Sequence, residues 1–228
     1  MKNRVLLFIV VLFTNTIFSQ EVNLEKINYK KIEKEVIDKE SELFYPKLIE
    51  KFNKGDTTMT LKEKRHLYYG FITQKEYSAY NSSVFNDSLR SVLNNKMLFV
   101  DDYKRIIKYS DLILKSFPFD ISVMSYKLFA YNNLENEKEY FKTLAKANII
   151  IDAILSTGNG INKKSPIYVI KVSNEYDILG VLGYQFGGSQ SLIGNCDYLE
   201  LAENENNIEG LYFDISASLD SLKNMFKK

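Results

Sequence analysis

Ile167-Tyr168-Val169-Ile170-Lys171-Val172 is the stretch on which the fold turns. Four of its six residues are β-branched, which suits an extended, half-buried strand and not a helix. Reading outward, Ser173-Asn174 is expected to turn the chain, and Tyr176 to Tyr184, carrying Gly180 and Gly183, to return as a second strand. Gly187-Gly188 reads as a hairpin turn. Ser191 to Ala202 then supplies a third strand, the polar Glu203 to Asn207 segment a further turn, and Gly210-Leu211-Tyr212-Phe213 a fourth. Ile215, Leu219, Leu222, Met225 and Phe226 recur at helical spacing and close the chain with an amphipathic helix. Eight of the ten glycines lie from Gly158 onward, and only Gly55 and Gly70 precede it. Helix interiors exclude glycine while turns and bulges use it, so the chain divides near residue 157.

Upstream of that division the pattern is helical. Ile27, Ile32, Val36, Ile37, Leu43 and Phe44 recur among lysines and glutamates. Pro46 suits the first turn of a second helix that stops near Gly55. Thr60 and Glu63 form a capping-box pair ahead of a helix from Leu61 to about Thr73. Val84, Phe85, Leu89, Val92 and Leu93 mark another helix. Asp101 or Asp102 caps one that carries Ile106, Ile107, Ile113 and Leu114, and Asp120 caps one that carries Met124, Leu128 and Tyr131. A last helix carries Tyr140, Phe141, Leu144, Ala147, Ile151 and Leu155 and stops at Gly158. The stretch from Asp101 to about Ala147 resembles the antiparallel helix pairs of tetratricopeptide repeats, without a clean ~34-residue self-similarity. The expected class is α+β: tetratricopeptide-like antiparallel helices over residues 20–157, packed on a four-stranded antiparallel meander with a closing helix over 158–228, in one compact unit.

Residues 1–19 read as a cleaved secretory signal. Lys2 and Arg4 precede the uncharged run Val5 to Phe13, which is too short to span a bilayer, and Ser19 suits the cut. No cysteine lies near that point to carry a lipid, so an exported protein, periplasmic or secreted and not a lipoprotein, is expected. The whole chain has 30 basic and 29 acidic residues; without Lys2 and Arg4 the balance is 28 to 29. A net charge of −1 gives no reason to expect nucleic acid as a partner. A single cysteine, Cys196, excludes an internal disulfide, and with a single histidine, His66, it excludes zinc fingers and His-rich metal sites. Cys196 is expected to share one strand face with Leu192, Gly194 and Tyr198 as a small buried residue.

Three segments carry a family resemblance: Phe44-Tyr45-Pro46-Lys47-Leu48-Ile49-Glu50, Gly55-Asp56-Thr57-Thr58-Met59-Thr60 and His66-Leu67-Tyr68-Tyr69-Gly70-Phe71. Thr157-Gly158-Asn159-Gly160, Glu175-Tyr176-Asp177-Ile178-Leu179 and Gly210-Leu211-Tyr212-Phe213-Asp214 agree with them. Together they resemble a family of uncharacterised exported Bacteroidetes proteins catalogued as domain of unknown function 4919. The resemblance implies export and a helix-then-strand organisation, and it carries no catalytic residue with it.

The chemistry therefore rests on the residues alone. No GxGxxG, GxxxxGK[ST], HExxH, CxxC or GxSxG motif is present, and Gly187-Gly188-Ser189-Gln190-Ser191 lacks the closing glycine of a nucleophile elbow. Gly158-Asn159-Gly160 follows a helix instead of opening one, so it reads as a helix stop and not an anion cradle. Tyr68, Tyr69, Phe71, Tyr77 and Tyr80 form the densest aromatic stretch; they either pack a helical layer or line a groove for a peptide or sugar. His66 beside them is either a packing residue or a base, with no partner visible in the sequence. Glu200, Glu203, Glu205 and Glu209 read as a solvated hairpin tip in preference to a calcium loop. No catalytic set, metal site or cofactor is expected. The preferred reading is a non-catalytic exported interaction module that offers a groove on its helical layer to a peptide or protein of the cell envelope. The alternative is an enzyme or a small-molecule or glycan binder whose carboxylate-tyrosine site draws on Glu175, Asp177, His66 and Tyr69. The weak binding candidates on either reading are Tyr68, Tyr69, Tyr77, Tyr80, His66, Glu175 and Asp177.

Overall fold

The computed structural model describes residues 24–225; the expected signal peptide lies outside them. Helices come first, each begun by the chemistry read above. Asn28 accepts from Lys31 N to start α1 (Tyr29–Ile37), and Pro46 sits in the first turn of α2 (Tyr45–Lys54), which Gly55 closes at φ +70°. Thr60 and Glu63 form the capping box of α3 (Leu61–Gly70), with Glu63 N donating to Thr60 Oγ1 at 3.2 Å and Thr60 N to Glu63 Oε2 at 2.7 Å. A short 3₁₀ turn, Phe71–Thr73, extends it. After α4 (Asn86–Leu93), α5 (Val100–Ser116) is opened by Asp102, which accepts from Phe99 N at 2.9 Å. Asp120 and Asn136 cap α6 (Ile121–Asn133) and α7 (Glu137–Leu155) by accepting from Val123 N and Glu139 N. Helices α4 to α7 pack each on the next, while α3 packs against α1, α2 and α7.

From residue 158 the structure departs from the expected meander. Only Ile167–Tyr168 forms a strand, β1, and it lies parallel to the last strand. Ser173-Asn174 is no hairpin turn: the chain enters α8 (Ser173–Val181) there, where a returning strand was expected. The cause lies in what that helix buries. Asn174, Glu175, Asp177, Ile178 and Leu179 make one helical face, but three of the five are polar, so the apolar periodicity that announces a helix is missing.

The expected turn at Gly187-Gly188 is also displaced. Both glycines lie within β2 (Phe186–Ile193), where the register with β3 (Cys196–Leu201) shifts between Phe186 and Gln190. A Cβ on Gly187 would fall 2.8 Å from the Leu201 carbonyl, so the glycine marks a bulge and a close approach of backbones. The turn is made instead by Gly194, at φ +71°, and Asn195, and Ile193 pairs with Cys196. Cys196 therefore does not share a strand with Leu192. Strand β3 pairs antiparallel with β4 (Gly210–Asp214), and α9 (Ser216–Met225) follows. The sheet order β1-β4-β3-β2 is mixed, because β1 joins β4 in parallel. The chain remains α+β.

One apolar core runs through both parts: Phe52 and Ile150 from the helices, and Phe119 from the turn between α5 and α6, pack in the same cluster as Val169, Leu199 and Phe213. A second, smaller cluster of Leu89, Val92, Ile106, Ile113, Val123 and Ala130 binds α4, α5 and α6 together.

Tyr168-Val169-Ile170 leads from β1 into the larger core, with Val169 and Ile170 buried and Tyr168 half-buried, and among the described residues it meets a strand along one edge alone. Val169 N donates to Asp214 O of β4 at 3.1 Å. The amides and carbonyls of Tyr168 and Ile170 find side chains. Tyr168 N donates to Thr157 Oγ1 at 3.0 Å, and Tyr69 donates its hydroxyl to Tyr168 O at 2.8 Å. Ile170 N donates to the Tyr68 hydroxyl at 3.2 Å, and Ile170 O accepts from Tyr77 at 2.8 Å and from Ser218 at 3.3 Å. The tyrosines stand where a neighbouring strand would. Tyr68→Phe leaves Ile170 N–H and the side-chain Oδ1 of Asn174 without their buried partner, and is expected to cost ~2–3 kcal/mol in urea unfolding, with helix content unchanged in the folded state. A loss below ~0.5 kcal/mol would remove the tyrosine from this role.

Candidate functional site

The aromatic stretch thus points inward. Tyr68 and Tyr69 are fully buried, their rings edge to face at 4.8 Å, and Tyr77 is half-buried against Phe71 at 6.0 Å. Burial drives the phenols of Tyr68, Tyr69 and Tyr77 above their ordinary range. Tyr80 is exposed and belongs to neither the core nor a cavity described below.

The other predicted residues fall into three separate places. His66 lies in α3 with Nδ1 2.7 Å from Lys62 O and Nε2 2.6 Å from Glu35 Oε2 of α1. The carboxyl of Glu35 is held below its usual range: burial opposes ionisation, but the His66 bond and the nearby Lys62 and Lys31 outweigh it. Glu35 is the carboxylate partner that the sequence did not reveal, because 31 positions separate it from His66.

Glu175 lies in α8, fully buried, and neither of its carboxyl oxygens has a hydrogen-bond partner among the described residues. Burial and the nearby Asp197 push it up to about 9, so it is a neutral acid at neutral pH. Asp197 on β3 is itself raised by burial and accepts from Gln190 Nε2 at 2.6 Å, while Gln190 Oε1 accepts from Tyr176 at 2.7 Å.

Asp177, two residues along α8, faces elsewhere. It accepts from the Ser122 hydroxyl of α6 and, at 3.0 Å, from Asn174 Nδ2. Asn174 in turn accepts from the Tyr68 hydroxyl at 2.8 Å and donates to Phe119 O at 3.2 Å, so a bonded chain runs from the tyrosine core to Asp177. Desolvation, with Asp120 adding repulsion, pushes Asp177 up to about 6 against the bonds from Ser122 and Asn174. Asp120 is also raised by burial. The nearby cation is Lys171, whose ammonium donates to Asn81 O at 3.0 Å and lies 4.5 Å from the Phe117 ring centre.

Asp177, Asp120 and Ser122 form one wall of an open groove of about 710 Å³ between α4, α6 and α8. Leu89, Leu93 and Val123 supply apolar lining, and Tyr126, Phe129 and Tyr176 stand at it with 37%, 45% and 40% of their surface exposed. The volume lies within the ~300–1,000 Å³ of ordinary ligand sites. Of the predicted site residues only Asp177 reaches this groove. Asp120 was legible as a helix cap alone, and no sequence signal marked it, Tyr126, Phe129 and Asp177 as neighbours.

A family profile described as a domain of unknown function, DUF4919, matches residues 30–224. The chain belongs to that family. No curated protein and no solved structure matches it. The DUF4919 match begins within α1 and ends within α9, so it takes in the groove, the tyrosine core and the sheet. It assigns no chemistry to any of them. Among the described residues no helix is long and apolar enough to cross a membrane, and no three His, Cys, Asp or Glu side chains gather as for a metal ion.

The neutral Glu175 has a thermodynamic signature. Its folded form holds a proton up to about pH 9, whereas the unfolded carboxyl releases it near pH ~4.3. The stability tied to that proton is present below pH ~4.3 and is lost as pH rises toward 9, at up to ~1.4 kcal/mol per pH unit. Glu175→Gln removes that slope, so its stability relative to wild type is expected to rise by at least ~1 kcal/mol between pH 5 and pH 8 in urea titrations. Parallel curves over that range would show that Glu175 is ionised in the fold.

Proposed function

We propose that the protein is a non-catalytic, exported interaction module that seats a peptide or protein segment in the groove between α4, α6 and α8. The observation that carries this reading is the set of half-exposed aromatics on a concave surface: Tyr126, Phe129 and Tyr176 stand over Leu89, Leu93 and Val123, with carboxyl groups to one side. Aromatic anchors over an apolar floor are the usual energetic centre of a protein interface. Successive helices that fold back on one another, in the manner of tetratricopeptide-like pairs, provide such a groove on a rigid layer. Export is supported by Lys2 and Arg4 ahead of the uncharged run Val5 to Phe13, and places the partner in the cell envelope or beyond it.

A second reading has its own observation. Asp177 titrates at about 6 at the wall of the groove, beside the Ser122 hydroxyl and near Tyr176, which suits a small-molecule or glycan binder, or an enzyme using a carboxylate and a tyrosine.

The two readings separate experimentally. A photo-reactive phenylalanine analogue at Phe129 is expected to cross-link an envelope protein in living cells, while the same probe at Phe141, exposed outside the groove, does not. With the probe kept at Phe129, Tyr126→Ser with Tyr176→Ser should reduce that capture by about tenfold or more, equivalent to ~1.4 kcal/mol, without lowering the unfolding midpoint. Equal cross-linking from both positions, or capture unaffected by the double variant, would sink the interaction reading. Asp177→Asn should leave peptide capture intact and abolish glycan binding if the second reading is the right one.

A further inference from the structure

The sheet has two outer edges, and the fold treats them differently. Beyond β1 the edge is closed by side chains: Tyr69 and Thr157 serve Tyr168, and Tyr68, Tyr77 and Ser218 serve Ile170. Strand β2 forms the other edge, and among the described residues it pairs with β3 alone. It is exposed from Phe186 to Leu192. The strand Phe186-Gly187-Gly188-Ser189-Gln190-Ser191-Leu192-Ile193 carries neither a charge nor a proline, two devices that ordinarily keep an open edge from pairing. Its bulge disturbs only the first half, and Gln190 to Ile193 runs in unbroken register with Leu199 to Cys196.

Which backbone groups face outward follows from the bonds of β3. On the β4 side, Leu201 N donates to Glu209 O and Ile215 N donates to Asn195 O; on the β2 side, Ala202 N donates to Gln185 O. Alternation along an antiparallel ladder therefore gives Cys196 and Tyr198 to β2, where they bond Ile193 and Ser191. Gln190 and Leu192 turn their amides and carbonyls away from the sheet. The edge is also held in place. The Gln190 side chain accepts from the Tyr176 hydroxyl of α8 and donates to Asp197 of β3, and Leu192 beside it stands 58% exposed.

We propose that β2 pairs antiparallel with β2 of a second copy of this chain, about a two-fold axis through Ser191, so that one sheet runs across a homodimer. That register sets Gln190 of each copy opposite Leu192 of the other, and the outward amides and carbonyls of the two strands bond one another. Ser191 meets itself in a non-hydrogen-bonded pair, where the Cα atoms come within ~4.5 Å and a small side chain fits. The two Leu192 side chains lie diagonally on one face and leave water together. A strand without charge meets its own copy without repulsion, and a chain with 30 basic and 29 acidic residues adds no net repulsion between copies. The same patch is used on both subunits, so the assembly closes at two. No residue of β2 lines the groove between α4, α6 and α8, so this interface stands apart from it.

The test is sedimentation velocity on the purified protein over a concentration series, which is expected to show a reversible monomer–dimer equilibrium. Because Ser191 faces itself, Ser191→Lys and Ser191→Glu each place like charges across the axis and should each raise the dimer dissociation constant by about tenfold or more. An equimolar mixture of the two variants should dimerise again, since the axis then joins opposite charges, and that recovery separates repulsion from misfolding. Ser191→Cys should form a disulfide-linked dimer under mild oxidation while Ser189→Cys, off the axis, does not; the native Cys196 is buried. The proposal is overturned if the protein is monomeric throughout the series, if either charged variant dimerises as well as wild type, if the mixture stays monomeric, or if Ser189→Cys cross-links as readily as Ser191→Cys.

Discussion

The structure depends on satisfying the backbone of Tyr168-Val169-Ile170 in the middle of an apolar core. A buried amide or carbonyl left without a partner costs ~1–3 kcal/mol, comparable with the contribution of a large apolar side chain. An extended segment inside a core therefore requires a strand on each side or substitutes for one. Here β4 serves one edge through Val169, and the hydroxyls of Tyr68, Tyr69 and Tyr77, with Thr157 and Ser218, serve Tyr168 and Ile170. Helix α3 supplies the first two tyrosines at consecutive positions, and they can serve neighbouring backbone groups because α3 crosses the segment between α1, α2 and α7. The helical part and the sheet are joined by directional bonds as well as by apolar contact.

That arrangement also explains where the chain turns helical again. Strand β1 ends at Tyr168, and among the described residues no strand pairing continues from Ile170 to Val172. A helix satisfies its own amides, and α8 begins one residue later. Its buried face then meets α6 on one side and the sheet on the other, and its polar residues follow those surroundings. Asn174 links Tyr68 to Phe119 O and Asp177, Asp177 reaches Ser122, and Glu175 meets Asp197.

The helical half was legible because its signals are local. Thr60 with Glu63, Asp120, Pro46 and Gly55 act within one turn of themselves, and each does in the fold what its spacing predicts. The strand-rich half departs from its sequence pattern at several places, and two of them show long-range reasons. Ile167 to Val172 has the composition of a strand, but the strand's length is set by which partners exist, and the partners are side chains about a hundred positions away. Gly187-Gly188 has the composition of a turn, but the Leu201 backbone approaches it and makes it a bulge. The same limit applies to the sites. Glu35 meets His66, and Asp120 and Ser122 meet Asp177, only after folding, and neither pairing leaves a periodic trace.

Asp177 and Glu175 show how one short helix sorts two carboxyls of similar burial. Among the described residues Glu175 has no donor, and it has a carboxyl neighbour in Asp197, so its desolvation is not offset and it remains neutral to about pH 9. Asp177 suffers the same desolvation, yet the Ser122 hydroxyl and Asn174 amide stabilise its anion and bring it back to about 6. Asn174 can donate there because Phe119 O takes its other contact and Tyr68 saturates its carbonyl oxygen, which fixes the amide's orientation. The charge state at the groove wall is therefore set from the tyrosine core, through the same residue that anchors Ile170. A partner that brings a cation to Asp177 lowers its affinity for the proton and gains from ionisation near neutrality, an advantage that the sealed Glu175 cannot offer.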